Sequence, residues 1–359
     1  MIKYLGSKRA LLTWILQVVD RLTEVDSLQT VLDPFSGSAR VAHALKSKGF
    51  QIIAGDYAHY AYILAKALVE SDARVYSPER IKPILDHLNN LPGEEGWFTE
   101  TYAYKARFFQ PFNAARIERI RKAVDVIVDS DERLRAILLT SLILAADKVD
   151  STTGLQMAFL KQWAPRSYNP LHLEYPPLLP GEGTALLGDA IDIVKEYEVD
   201  LLYLDPPYNQ HSYLANYHIW ETLVLFDAPT CYGVAQKRSD IKTRKSAFNS
   251  RIKAKEALRN IIYNARAKVI LLSFNNEGFH TESELLEIAR EKGYVAVLRH
   301  PYKRYVGAQI GIYNPKGEKV GQVSHLKNEE LLFVISQDKR FIENIDYKMS
   351  NWLYQYKLL

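Results

Sequence analysis

Apolar positions recur at helical spacing from Leu11 to Leu22, then contract to a short continuous run at Thr30, Val31 and Leu32. That run leads into Asp33-Pro34-Phe35-Ser36-Gly37-Ser38. Helical spacing returns from Arg40 to Lys48 and stops at Gly49. Gln51 to Ala54 is a second short run, closed by Gly55-Asp56. Short continuous apolar runs are buried strands, and apolar residues three and four apart make one helix face. The alternation predicts the opening of an α/β fold, a doubly wound sheet with parallel strands.

From about Val75 to Tyr175 the pattern changes. Helical spacing dominates, as in Ile117 to Val128 and Glu132 to Asp147, and the stretch ends in the Pro-rich passage Pro165 to Pro180. The aromatic and basic run Tyr102 to Phe109 reads either as helix core or as a surface that reads bases. Strand-like runs resume at Ala185 to Leu187, ending in Gly188-Asp189, then at Val199 to Leu204 and Lys268 to Phe274. Tyr294 to Leu298 and Leu331 to Ile335 read as the last two strands. The expected organisation is a sheet domain built from residues 1–74 and 176–359, with an inserted, mostly helical domain at 75–175.

Composition narrows the class. The 359 residues are 47% hydrophobic and 25% charged, with mean hydropathy -0.20, which excludes disorder and coiled coil. A single cysteine, Cys231, rules out an intrachain disulfide and a cysteine-based zinc site. The longest apolar stretch, Ala136 to Ala146, is about half of the roughly 20 residues a membrane span needs. Lys3, Lys8 and Arg9 before Leu11 to Val19 mimic a signal peptide. Thr13 and Gln17 interrupt the apolar part, however, and no small-residue cleavage site follows. The expectation is a cytoplasmic protein with no membrane partner and no metal. Net charge is only +4, but Gln236 to Arg259 holds nine basic residues. Lys237, Arg238, Lys242, Arg244, Lys245, Arg251 and Lys253 are the candidates there for nucleic-acid phosphates; a solvated loop and helix face is the other reading.

Three motifs carry chemistry. Asp33 to Ser38 lies between a strand and a helix, and its small residues let the backbone approach a ligand at the strand's carboxyl end. The spacing is not GxGxxG, which disfavours a nicotinamide. Asp56, one βα unit later, can accept from both ribose hydroxyls of an adenosine-type ligand. Asp205-Pro206-Pro207-Tyr208 ends the apolar strand Leu201 to Leu204. Two prolines cannot continue a central strand, so the chain must leave the sheet there. The Asp205 carboxylate and the Pro206 carbonyl can then converge on a primary amine, which has two N–H donors. Tyr208 offers a face for a flat base.

With these residues the chain resembles the Dam-like (α-class) DNA adenine N6-methyltransferases, and within them the FokI-type modification enzymes. The likeness extends to Lys3-Tyr4-Leu5-Gly6-Ser7-Lys8, Ala145-Ala146-Asp147-Lys148, Ala158-Phe159-Leu160-Lys161 and Tyr213 to His218. It departs at Ser38-Ala39, where a second glycine is common. The resemblance implies S-adenosylmethionine as methyl donor and the sheet of the methyltransferases that use it, with 75–175 as target-recognition domain. It implies that Tyr4, Gly6 and Lys8 close over the cofactor, that Phe35, Ser36, Gly37 and Ser38 line its amino-acid end, and that Asp33 is a further cofactor-binding residue. Asp56 would hold the ribose and Asp189 the adenine amino group, although Asp189 reads equally as a helix N-cap. Asp205, Pro206, Pro207 and Tyr208 would be catalytic. The partners implied are double-stranded DNA and a cognate restriction enzyme or second methyltransferase. A cytosine C5 enzyme is excluded, because Cys231 lies between Thr230 and Tyr232 and not after a proline. An RNA adenine methyltransferase and a non-catalytic cofactor- or DNA-binding module remain as alternatives.

Overall fold

The computed structural model describes residues 1–276, 278–303, 312–313, 319–321 and 327–348. The main sheet has seven strands: β1 (Thr30–Asp33), β2 (Gln51–Asp56), β3 (Thr184–Leu187), β4 (Glu198–Leu204), β5 (Arg266–Asn275), β6 (Tyr294–Lys303) and β7 (Lys327–Ser336). Their neighbours run in the order β3-β2-β1 and in the order β4-β5-β7-β6. The chain forms two compact units. The first holds Met1–Leu12, Gln29–Tyr197 and His211–Ser246; the second holds Thr13–Leu28, Glu198–Gln210 and the chain from Ala247 onward.

In the first unit β2 runs parallel to β1, with Asp33 opposite Ala54, and to β3, with Asp56 opposite Leu187. Strand ends carrying Asp33, Asp56 and Leu187 therefore point the same way, as parallel strands with helical crossovers require. Helix α2 (Arg40–Ser47) follows β1, and α3 (His59–Ala65) follows β2 and runs into a π-helical turn, Lys66–Glu70. The expected helical stretch contains α4 (Pro78–Asn89), α5 (Pro111–Ile127) and α6 (Glu132–Val149). It is not set apart as a unit of its own. Helix α6 packs on α5, on α3 and on the π-helical turn, and buries Ala136 to Leu139 together with Leu142, Ile143, Ala145 and Ala146. A helix apolar all round belongs in a core, which accounts for the longest apolar run. Tyr102, Phe108 and Phe109 are buried as well, so these three rings are core, whereas Tyr104 of the same run is exposed.

In the second unit β4 lies parallel to β5, with Leu204 opposite Leu272. Strand β7 is antiparallel to both β5 and β6, so that Leu331 faces Phe274 on one side and Arg299 on the other. Residues Leu201 to Leu204 are at most 1% exposed, the pattern of a strand covered on both faces. Helix α1 (Leu12–Thr23) presents Trp14, Ile15, Val18, Val19 and Leu22 as one buried stripe. Strands β6 and β7 extend further than their apolar runs, because Arg299-His300-Pro301 pairs with Glu329 to Leu331 at a polar end of the ladder. Pro301 is tolerated there since β6 is an edge strand. Among the described residues no helix is long and apolar enough to cross a membrane.

Candidate active site

The loop after β1 is held in one shape by its own backbone. Ser36 N donates to the Gly55 carbonyl at 2.9 Å, and Ala39 N donates to the Ser36 carbonyl at 2.7 Å. Gly37 sits at φ 51°, and a Cβ there would meet the Tyr4 Oη at 2.9 Å. Glycine is thus required twice over, for left-handed backbone and for close approach. Ala39 is also left-handed, at φ 57°. An L-residue in that region carries a cost of about 1–2 kcal/mol. The departure from the family's glycine therefore has a physical consequence, although alanine's size lets it fit with no exposure.

Asp56 closes onto this loop. One carboxylate oxygen accepts from Gly37 N at 3.0 Å and the other from Ala58 N at 2.9 Å. Burial outweighs these two donors and pushes the carboxyl up to about 6. Ser36 Oγ is buried and has no hydrogen-bond partner among the described residues. A buried hydroxyl without a partner and a carboxylate held against its own desolvation both ask for a polar ligand. These observations fit a ribose and an amino-acid moiety beside the loop.

Tyrosines wall the same region. The Tyr4 ring stacks between Tyr213, at 5.3 Å, and Tyr217, at 4.7 Å, with interplanar angles of 13° and 10°. Its hydroxyl meets that of Tyr60 at 3.1 Å, and the Tyr217 hydroxyl accepts from Leu5 N at 2.5 Å. Lys3 anchors the segment from the other side, donating to the Asp147 carbonyl at 2.6 Å and to Asp150 at 2.7 Å. Three stretches quoted for the resemblance, around Tyr4, Asp147 and Tyr213, are thereby brought together. Tyr60 was not expected; its signal is the spacing Asp56-Tyr57-x-x-Tyr60 in a chain with 23 tyrosines. Lys8 is buried at the start of a short 3-10 turn, Lys8–Ala10, and Gly6 precedes it at φ 69°. Asp33 is 2% exposed and accepts from Phe35 N at 3.3 Å. Asp189 is exposed and caps helix α7 (Ala190–Glu196), accepting from Ile191 N at 2.9 Å. Of its two sequence readings, the N-cap is the one with a visible partner.

In the second unit β4 ends at Leu204 and the backbone leaves the sheet at Asp205, as the prolines demand. The turn is pinned beyond them. Tyr208's carbonyl accepts from Phe279 N at 2.8 Å, its ring lies 6.0 Å from that of Phe274, and Asn209's carbonyl accepts from Asn249 Nδ2 at 3.0 Å. Asp205, Pro207 and Tyr208 remain half-buried, whereas Pro206 is buried. A carboxylate, a carbonyl and an aromatic ring are thus carried on a stiff turn at a strand's carboxyl end.

The basic segment needs a correction. Arg238 is buried and makes paired bonds to Asp227 at 2.7 and 2.8 Å and to Asp240 at 3.1 Å, so it has no reach for a phosphate. Arg244 turns inward to Glu221 at 2.8 Å. Lys255 and Arg259 pair with Glu287 and Glu291. Counting charges along the chain overlooks such partners from elsewhere. Lys242, Lys245, Arg251 and Lys253 stay exposed, Lys237 is half-buried, and none of the five has a carboxylate partner among the described residues. Lys242 lies 4.0 Å over the Tyr232 ring.

The fold and these motifs define a family. The model of the D12 class N6 adenine-specific DNA methyltransferases matches residues 4–285, and the chain belongs to that class. The chain is 31% identical over 359 residues to modification methylase StsI of Streptococcus sanguinis, covering 95% of the chain and 52% of that protein. It is 28% identical to type II methyltransferase M.NlaIII of Neisseria lactamica, covering 90% and 98%. With type II methyltransferase M.FokI of Planomicrobium okeanokoites it shares 29% identity, covering 84% and 49%. The chain therefore spans about half the length of two of these relatives and nearly all of the third.

Proposed function

We propose that this protein methylates the N6 amine of adenine in duplex DNA, with S-adenosylmethionine as donor, as the modification half of a cytoplasmic restriction–modification system. The observation that carries this reading is Asp205-Pro206-Pro207-Tyr208 on its pinned turn in a chain of the adenine-specific class. S-adenosylmethionine supplies a methyl group on a sulfonium centre, open to in-line displacement. Tyr4, Gly6, Lys8, Asp33, Phe35 to Ser38 and Asp56 would hold it, and Asp189 keeps one carboxylate oxygen for its adenine.

The chain's own part begins with the amine, a poor nucleophile because its lone pair is delocalised into the ring. The Asp205 carboxylate and the Pro206 carbonyl accept from its two N–H groups and draw the nitrogen toward a tetrahedral shape. Positive charge then develops on that nitrogen, and the same fixed acceptors stabilise it. The surplus proton leaves along the hydrogen bond to Asp205. An adenine in duplex DNA must be flipped out to be reached, and Tyr208 offers the face on which it is held. Residues 75–175 serve target recognition, while the exposed lysines position the backbone, since phosphate contacts orient without specifying sequence.

The deciding experiment expresses the protein in a methylation-free host and analyses genomic nucleosides by mass spectrometry, with strand-resolved sequencing. N6-methyladenine at one recurring sequence is expected. N4-methylcytosine overturns the base assignment, and methyl groups found only in RNA favour an RNA substrate. Replacing Lys242, Lys245 and Lys253 by alanine together weakens DNA binding and flattens its salt dependence, by up to about 0.9 in slope per lost phosphate contact. Fluorescence anisotropy across a salt series reads this directly; an unaltered slope returns these lysines to the solvated face.

A further inference from the structure

One buried charge is not used by the reaction above. Glu221 lies on helix α8 (His218–Leu225), an otherwise largely apolar helix, and is fully buried. Its carboxylate faces His59 Nδ1 at 2.8 Å, accepts from Tyr60 N at 3.0 Å and pairs with Arg244 at 2.8 Å. His59 and Tyr60 open α3, three and four residues after Asp56. Arg244 stands between the exposed Lys242 and Lys245, and its guanidinium also reaches the Tyr57 carbonyl at 3.4 Å and Asp240 at 3.3 Å. A single carboxylate thus ties the turn that carries Asp56 to the segment that carries the exposed lysines.

Apolar packing would hold α8 against α3 equally well, since a buried ion pair adds little net stability over a hydrophobic replacement. What the pair adds is direction. Arg244 spreads its planar fork over two directions, Nη2 on Glu221 and the Tyr57 carbonyl and Nη1 on Asp240, and a planar fork held at both prongs has a set orientation. Phosphates drawn to Lys242 and Lys245 would restrain the backbone on either side of Arg244, and with it the guanidinium against the Asp56 turn.

We propose that Glu221 and Arg244 are positioning residues that link nucleic-acid occupancy of the Lys242–Lys245 segment to the Asp56 turn, so that bound DNA tightens cofactor binding. The proposal rests on the reading of Asp56 as a cofactor residue and of the lysines as DNA contacts. By linkage the effect is reciprocal: the factor by which DNA raises cofactor affinity is the factor by which cofactor raises DNA affinity.

The test titrates the full chain with S-adenosylhomocysteine by calorimetry, with and without a duplex carrying the methylation site found by sequencing. Wild type, Arg244→Ala, Arg244→Lys and Asp56→Ala are compared. In the wild type DNA raises affinity by at least about fivefold, the lower range of such couplings. Arg244→Ala brings that factor to one and raises KM for the cofactor more than it lowers kcat. Arg244→Lys keeps the charge on Glu221 but lacks the planar fork, and retains only part of the factor; it decides the matter should the alanine variant not fold. An undiminished factor in both Arg244 variants, or no effect of DNA in the wild type, overturns the link. If Asp56→Ala leaves affinity unchanged, the cofactor reading itself falls. If Asp56→Ala weakens binding while the Arg244 variants keep the full factor, only the link falls.

Discussion

Asp205→Ala lowers kcat by at least about 10²–10³-fold, the loss seen when one preorganised partner of a developing charge is removed, while S-adenosylhomocysteine still binds. The asymmetry follows from where the carboxylate acts. Asp205 lies at the end of β4 in the second unit, whereas Asp56 and the loop around Gly37, the residues assigned to the cofactor, belong to the first. In the proposed reaction its partner is the target nitrogen, and that interaction would strengthen as the nitrogen gains positive charge. An interaction made chiefly in the transition state lowers kcat and kcat/KM together when it is lost. Tyr208→Ala should separate from this pattern, since it would also remove the proposed surface for the flipped base, worth about 1–3 kcal/mol of stacking. Single-turnover methylation of a duplex, paired with calorimetry of cofactor binding, distinguishes the two variants. Substantial transfer by Asp205→Ala would end its assignment as the amine's acceptor.

Most of this framework was legible because local chemistry forced it. Two consecutive prolines after Asp205 end the strand, which stops at Leu204, and the small residues expected to let the backbone come close to a ligand include Gly37, whose left-handed backbone lies against the Tyr4 ring. What escaped were relations set by distant partners. Arg238 and Arg244 look free in a run where only Asp240 and Glu256 oppose nine basic residues, yet Asp227 and Glu221 neutralise them from outside the run. The last two strands looked short because their polar ends are paired by ladder hydrogen bonds, which hydropathy does not register. The helical stretch 75–175 looked separable because its period changes, but an apolar period does not reveal that α6 shares a core with α3. Glu221 did leave a trace, as the one carboxylate in His218–Leu225, and an isolated charge inside an apolar helix marks a buried partner.

The affinity of the protein for S-adenosylhomocysteine falls on acidification below about pH 6, and Asp56→Asn removes that dependence. Burial holds the Asp56 carboxyl up at about 6, against the lowering effect of the Ala58 and Gly37 amides. A raised carboxyl means that the folded protein binds the proton more tightly than the unfolded chain does. From this group alone, folding stability therefore rises as pH falls from 6 toward the ordinary carboxylate value, and is diminished above 6, where the buried charge must be carried. Ligand binding has the opposite sign. Only the ionised carboxylate accepts fully from two ribose hydroxyls, so each pH unit below 6 costs close to tenfold in affinity, the equivalent of about 1.4 kcal/mol. Above pH 7 the wild type should exceed Asp56→Ala by about 1.5–3 kcal/mol, the range for hydrogen bonds to a charged group. A residue that weakens the free protein at neutral pH, and gives that back when ribose hydroxyls reach it, is positioned for a ligand rather than for the fold. Calorimetric titrations from pH 5 to 8 on wild type and Asp56→Asn, with thermal melts over the same range, test both signs at once. Equal pH profiles for the two proteins would remove Asp56 from the ribose site.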